Sequence, residues 1–144
     1  MVDVSSKAST ERMAIARGEV HLQKETLSLI QDKLMKKGDV LSVAQIAGIL
    51  GAKNTSTLIP LCHPIMINYI SVDLNIDDKI CGIIIQAEVR TKGSTGVEME
   101  ALTAVSIAAL TVYDMVKSVE KRASIQNIHL VEKHGGASGD FYNK

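Results

Sequence analysis

The chain has 144 residues, of which 46% are hydrophobic and only 3% aromatic, and its 16 basic residues balance 16 acidic ones. This length is typical of one domain, so we expect residues 1–144 to form a single domain. Zero net charge argues against both a nucleic-acid binder and a membrane-surface binder, because both need an excess of basic residues. The small number of aromatic residues argues further against a nucleic-acid binder, because many such proteins stack bases on aromatic side chains.

Cysteine usage and terminal composition indicate the compartment. Cys62 and Cys81 are the only cysteines, and they form no CxxC or zinc-ligand spacing. The N-terminus lacks the basic and apolar regions of a secretory signal. The longest apolar stretch, residues 101–113, is too short for a membrane span. We therefore expect a cytoplasmic protein with free thiols, no membrane partner and no dedicated metal site.

Apolar residues alternate with polar ones in three stretches, and alternation is typical of half-buried strands. The predicted strands are residues 14–22, 70–76 and 83–90, with a fourth near 125–132. Helical spacing predicts helices over 24–36, over 40–50 and from just after Gly96 to about Val119, with a short helix toward Ile59. Leu27, Ile30 and Leu34 share one face of the first predicted helix, and the apolar residues of the second are Val43, Ile46, Ala47 and Leu50.

Capping residues set the predicted boundaries. Gly38 ends the first helix, Asp39 caps the second, Gly51 ends it, and Asn54 or Thr55 caps the short one. Residues 1–11 and the Gly-rich tail 133–144 are predicted to be extended or loose.

The order of these elements matches a split β-α-β-β-α-β arrangement. We predict an α+β, ferredoxin-like fold: a four-stranded antiparallel sheet with helices on one face. The other face would be bare. Ile84 among polar neighbours, and the alanine surfaces of the long helix, suggest that another subunit covers part of the apolar surface, so we expect an oligomer.

Asp114 and Lys117 lie three residues apart on the long helix and share a face. One interpretation is an ordinary surface ion pair. The alternative is a general acid or base held by a lysine whose own pKa is lowered. The apolar neighbours Val112, Met115 and Val116 favour the second interpretation.

Two other segments carry reactive groups. Glu98 and Glu100 flank Met99 at the start of the long helix, where acids are favoured by the helix dipole and where a helical backbone would point them in different directions. Cys62 and His63 lie in a loop between two prolines. This loop is either a tight turn with one buried cysteine or part of a cysteine hydrolase.

Several lysines lie beside glycines, an arrangement suited to phosphate binding because backbone amides can approach the oxyanions. They are Lys37, Lys53, Lys92 and Lys133. The sequence contains no Walker motif or GxGxxG; the Gly-rich run at 135–139 is the nearest equivalent, and composition alone is equally consistent with a mobile tail.

Taken together, five segments resemble the cyclic pyranopterin monophosphate synthase family, also known as molybdenum cofactor biosynthesis protein C. They are Lys-Gly-Asp-Val at 37–40, Ala-Gly at 47–48, Leu-Ile-Pro-Leu-Cys-His-Pro at 58–64, Thr-Gly-Val-Glu-Met-Glu-Ala-Leu-Thr-Ala at 95–104, and Tyr-Asp-Met at 113–115 with Lys117. The resemblance extends over nearly the whole chain.

The resemblance implies a lyase of molybdopterin biosynthesis. Such enzymes convert the GTP-derived substrate (8S)-3′,8-cyclo-7,8-dihydroguanosine 5′-triphosphate to cyclic pyranopterin monophosphate and pyrophosphate. It further implies a ferredoxin-like fold and a homo-hexamer built as a trimer of dimers, with sites at subunit interfaces. No redox cofactor is needed, although Mg²⁺ could accompany the substrate phosphates.

The resemblance also assigns roles. Asp114, Lys117 and Lys37 correspond to catalytic residues. Substrate-binding positions are Leu61, Cys62, His63, Glu98, Met99, Glu100 and Lys133. The two glutamates would accept N–H bonds from the guanidine-like edge of the purine, and lysines would meet the phosphates.

This chain departs from the family pattern in two segments. Ser94 stands where a lysine often precedes the Thr-Gly-Val-Glu-Met-Glu segment, and in the tail His134 replaces a serine and Ala137 a lysine. One phosphate contact is therefore expected to be missing or shifted. A nucleotide-binding regulatory module of the same fold, without chemistry, remains an alternative to the lyase.

Overall fold

The structure is a computed structural model that describes residues 1–143. The strands are β1 (Thr10–His21), β2 (Tyr69–Asp77), β3 (Gly82–Gly93), β4 (Ser124–His134) and β5 (Phe141–Tyr142). The helices are α1 (Lys24–Gln31), α2 (Val40–Lys53), α3 (Thr55–Leu58) and α4 (Glu98–Val116). They form a mixed α+β structure whose antiparallel sheet has the order β2-β3-β1-β4-β5.

The core lies between the sheet and the two long helices. Strands β1 and β3 pair over their whole lengths, from Thr10 with Gly93 to His21 with Gly82. The predicted inward positions of the two strands are completely buried: Ala14, Ala16, Val20, Ile83, Ile85, Ala87 and Val89. The alternating pattern therefore predicted the helix-covered face of the sheet correctly, because side chains on a strand point to opposite faces in turn.

The prediction of a four-stranded sheet is wrong, because the tail adds a fifth strand. Phe141 and Tyr142 pair with Lys133 and Glu132 of β4. Glycines at 135, 136 and 139 have φ values of +92°, +89° and +76°, which turn the chain back on itself. Two residues are too few to show an alternating pattern, so sequence periodicity could not reveal this strand.

The first helix is five residues shorter than predicted. It ends at Gln31, after which Lys33 adopts a left-handed φ of +57°. The N–H of Lys33 donates to the Ile30 carbonyl and the N–H of Leu34 to the Leu29 carbonyl, at 3.1 and 2.9 Å. This is a Schellman termination at a lysine instead of the expected glycine. Leu34 consequently lies outside the helix that was predicted to contain it, and it is 66% exposed.

The second helix begins as predicted but ends later. Asp39 caps it by accepting the Ser42 N–H at 3.2 Å. Gly51, which was predicted to end the helix, lies within it. Glycine is needed at this position because a side chain would meet Ile107 of α4: an added Cβ would be 2.8 Å from Ile107 Cγ1. Gly48 makes a similar close approach to α4. The two glycines therefore permit close helix packing, and neither terminates α2.

The close contact between α2 and α4 decides which apolar residues are buried within the chain and which are exposed. The alanines of α4 that were assigned to a subunit interface, at positions 101, 104, 108 and 109, are completely buried within the chain. Three large apolar residues of α2 are exposed: Val43, Ile46 and Leu50. Small residues allow the two helices to approach, so the larger ones are left facing solvent.

Helix α4 has 19 residues, more than the apolar stretch that the sequence suggested, and is long and apolar enough to cross a membrane by length and composition. More than half of it is buried inside the structure. It packs on α2 and on β1, β3 and β4, as the central helix of a packed core does.

Candidate active site

A cavity of about 370 Å³ lies where the proline-flanked loop meets the first turn of α4. Its lining includes six of the predicted binding residues: Leu61, Cys62, His63, Glu98, Met99 and Glu100. The loop follows α3 directly, and its Cys62 N–H donates to the Ile59 carbonyl at 3.1 Å. The structure therefore brings together two segments that are 35 residues apart in the sequence, from Cys62 to Val97.

Glu98 lies in an ion pair with Lys133, the predicted phosphate lysine on β4. The Lys133 Nζ donates to Glu98 Oε1 at 2.7 Å, and both side chains are largely buried. Burial alone would raise the pKa of Glu98, but the Lys133 hydrogen bond, the residue's own N–H and the charges of Lys133 and Arg12 outweigh it and lower the pKa. Glu98 is thus held as a carboxylate.

Glu100 has the opposite character. It is only 4% exposed, and this burial, together with the nearby charge of Glu98, raises its pKa despite a hydrogen bond to its own backbone. Both glutamates line the same cavity, although residues two apart on a helix were expected to point in different directions. A buried carboxyl that is costly to ionise gains from a ligand that donates N–H bonds, so Glu100 is suited to recognising such a group.

The thiol of Cys62 is not activated. Burial, and then the charge of Glu100, raise its pKa above the ordinary 9.0. Nucleophilic cysteines have the reverse, a pKa lowered by a neighbouring cation or helix N-terminus. The cysteine-hydrolase alternative therefore gains no support from the geometry.

The predicted catalytic residues form a second cluster. The Asp114 carboxylate contacts Lys117 at 2.9 Å and Lys37 at 3.1 Å, and the Lys37 Nζ also donates to the Asp114 carbonyl at 3.1 Å. Lys37 lies in the turn between α1 and α2, and the sequence did not predict this contact. All three side chains are about half exposed.

The charges of the second cluster are mutually stabilised. The hydrogen bond from Lys117, followed by that from Lys37, lowers the pKa of Asp114. Asp114 in turn raises the pKa of Lys117. The expectation of a lowered Lys117 pKa is therefore wrong, because the residue lies on the surface, where the paired carboxylate has more effect than burial.

The two clusters lie at opposite ends of α4. Glu98 is its first residue and Asp114 is sixteen residues further along, which at 1.5 Å per residue separates their backbones by about 24 Å. Within one chain, therefore, Asp114 does not reach the cavity that holds Glu100. The structure assembles both predicted halves of a site, but it does not bring them together.

Sequence reasoning missed Arg12. This residue is 7% exposed, its Nε donates to the Gly93 carbonyl at 2.9 Å, and its charge acts on Glu98. It occupies an inward position of β1, in phase with Ala14. The signal that could have found Arg12 is its spacing, since it continues the alternation of the buried residues of β1. The predicted strand began at residue 14 and therefore left Arg12 out. The N-terminal residues Val4 and Lys7 also line the cavity.

A larger cavity of about 570 Å³ lies on the side of the sheet away from the helices. Its lining includes Tyr69, Arg90, Lys92 and His134. The Arg90 guanidinium lies 4.8 Å from the centroid of the Tyr69 ring. None of the predicted catalytic or binding residues lines it.

Comparison with known proteins places this geometry in a family. The sequence model of the MoaC family matches residues 1–136. A cyclic pyranopterin monophosphate synthase from Syntrophomonas wolfei is 58% identical over 139 residues, which cover 96% of this chain and 88% of the relative. Proteins of the same name from Dinoroseobacter shibae and Clostridium perfringens are each 57% identical over 141 residues, covering 98% of this chain and 89% of the relative. The chain belongs to the MoaC family.

Proposed function

We propose that the chain is a cyclic pyranopterin monophosphate synthase. It converts (8S)-3′,8-cyclo-7,8-dihydroguanosine 5′-triphosphate to cyclic pyranopterin monophosphate and pyrophosphate in molybdenum cofactor biosynthesis. The observation that carries the proposal is the cavity in which the proline-flanked loop meets Glu98, Met99 and Glu100, in a chain 58% identical to a named synthase.

The first cluster is suited to binding. Glu100, buried and without a cationic partner within residues 1–143, would accept N–H bonds from the guanidine-like edge of the base. Lys133 already pairs with one anion, Glu98, and would exchange that contact for a substrate phosphate. Met99, 37% exposed, offers an apolar contact to the ring.

The second cluster is suited to proton transfer and charge stabilisation. The low pKa of Asp114 keeps it ionised at neutral pH, so it begins the cycle as the base that accepts a proton from water or from the hydroxyl that attacks phosphorus. Lys37 and Lys117 would stabilise the negative charge that builds on the departing pyrophosphate. These steps need no resident cofactor or protein-bound metal, and any Mg²⁺ would arrive with the substrate phosphates.

We further propose a single-domain, ferredoxin-like protein that forms a cytoplasmic homo-hexamer, a trimer of dimers. The first four strands support this fold, since their order β2-β3-β1-β4 is that of a split β-α-β-β-α-β unit. An oligomer is supported by the exposed apolar residues of α2, namely Val43, Ile46 and Leu50. It is also supported by the distance between the two clusters, which a second copy could close.

The direct test is to incubate the purified protein with the cyclised nucleotide and to measure pyrophosphate and the pterin product. Wild type should release both. Asp114→Asn should bind the substrate without releasing either, whereas the matched exposed variant Asp78→Asn, in the β2–β3 turn, should retain activity. Binding by wild type without pyrophosphate release would instead identify a regulatory module, and full activity of Asp114→Asn would remove that residue from the mechanism.

A further inference from the structure

The C-terminal segment, residues 135–143, folds back beside the Glu98–Lys133 ion pair. Together they enclose a cavity of about 390 Å³, lined also by Leu130 and by residues 138–141 of the segment. Glu98 lines both this cavity and the one beside the proline-flanked loop. The segment therefore forms one wall of the space next to Lys133.

His134 contacts this wall directly. Its Nε2 lies 2.9 Å from Glu132 Oε2 on its own strand, and its Nδ1 lies 3.1 Å from Asp140 Oδ2 in the segment. The Tyr142 ring packs edge-on against the imidazole, with centroids 5.2 Å apart. Asp140 also accepts the Gly135 N–H at 3.3 Å, which closes the turn. One side chain thus connects β4 to Asp140 and Tyr142 in the later part of the returning segment.

We propose that His134 is a positioning residue that fastens residues 135–143 across the space beside Lys133, so that protonation of its ring controls the access of an anionic ligand. The identity of that ligand rests on the proposed function, whereas the fastening itself does not. Only an imidazolium offers donors on both sides of the ring, so only the charged form satisfies Glu132 and Asp140 together. A side chain with one donor, such as a serine hydroxyl, could not bridge the two carboxylates.

The charges around the ring favour its protonated form. Glu132 and then Asp140 raise the pKa of His134, and His134 lowers the pKa of Asp140. His134 lines the cavity on the open side of the sheet together with charged residues of other strands, namely Glu11 and Arg12 of β1 and Arg90 and Lys92 of β3. Burial opposes protonation, but the two carboxylates in direct contact have the larger effect on the His134 pKa.

The raised pKa fixes the direction of the pH dependence. The contact is complete below the ordinary histidine pKa of 6.5 and is lost as the pH rises through the raised value in the folded protein. Asp140, whose pKa is lowered, releases the contact only in strong acid. The segment should therefore be fastened in mild acid and released in mild alkali.

Chymotrypsin cleavage after Phe141 reports release of the segment in the full chain without any substrate, because cleavage follows the population of the open form when opening is fast. At about pH 6, His134→Gln should be cleaved about two- to fivefold faster than wild type, the range for an exposed ion pair. At about pH 8.5 the two rates should converge. His129→Gln is the matched control, since this histidine lies on the same strand and its side chain has one hydrogen bond within residues 1–143, to the Asn127 carbonyl.

A second variant separates fastening from general damage. Asp140→Asn should accelerate cleavage similarly, and the double variant should be no faster than either single variant, because one contact is lost in all three. A pH-independent ratio between His134→Gln and wild type, or additive effects in the double variant, would overturn the proposal. With the cyclised nucleotide, His134→Gln should lower KM with kcat unchanged, because the released segment no longer covers the space beside Lys133. An inactive wild type would refute the proposed function but leave the cleavage result intact.

Discussion

The distance between the two residue clusters leads to a quantitative prediction about subunit mixing. Glu98 and Asp114 are sixteen residues apart on the same helix, a separation of about 24 Å. A nucleotide triphosphate in contact with Glu100 of one chain would then need Asp114 of another. Each site would therefore take its binding half and its catalytic half from different protomers.

Co-assembly of two inactive variants measures this arrangement. Asp114→Asn supplies an intact binding half and Glu100→Gln an intact catalytic half. In a randomly mixed, equimolar oligomer, each half-site is intact with a probability of about one half, so about one quarter of the sites should be active. The assay is pyrophosphate release from differently tagged, co-expressed variants, with mass spectrometry to verify mixed assembly.

The matched control uses wild type mixed with the double variant that carries both substitutions. A shared site again predicts about one quarter of wild-type activity, whereas a site within one chain predicts about one half. Mixed oligomers of the two single variants with no activity above either parent, together with one-half activity in the control, would refute the shared site.

Three further predictions concern single positions. Gly51→Ala should lower the free energy of unfolding by about 1–3 kcal/mol in urea titration, because its Cβ would meet Ile107 at 2.8 Å. Gly93→Ala is the control and should leave the free energy of unfolding unchanged, because among residues 1–143, its two chain neighbours aside, no atom lies within 4 Å of the new Cβ. Cys62 should react with iodoacetamide more slowly at pH 8 than a free cysteine peptide, owing to its raised thiol pKa, and faster reaction would contradict that environment. Glu100→Gln should raise the midpoint of thermal unfolding at pH 7, because a carboxyl whose pKa is raised in the folded state makes the folded protein less stable as the pH rises. The gain should vanish well below pH 4.5, where the carboxyl is protonated in both states. An unchanged midpoint at pH 7 would show that ionised Glu100 does not destabilise the fold.

The strands illustrate what a local pattern can predict. Ala14, Ala16 and Val20 alternate with polar residues, and all three are completely buried as expected. The same holds for β3. Alternation depends only on the geometry of an extended backbone, so it is readable from a single sequence. The Asp39 cap is equally local, because its partner Ser42 is three residues away.

The helices show where local patterns fail. Val43, Ile46 and Leu50 have the spacing of a buried face but are exposed. Which face of α2 packs inward is decided by Gly48 and Gly51, which allow close contact with α4. The tail is similar: the short strand at Phe141 forms only because β4 presents a free edge.

For the candidate site, the sequence by itself identified the reactive residue types and their segments, because the proline-flanked loop and the Glu-Met-Glu segment are contiguous motifs. Only the tertiary structure decided which of them meet. It joined Cys62 to Glu100 around one cavity, joined Lys37 to Asp114, and placed those two groups at opposite ends of α4. Burial and charge pairing act through space, so the raised pKa of Glu100 and the lowered pKa of Asp114 depend on neighbours that chain order does not reveal.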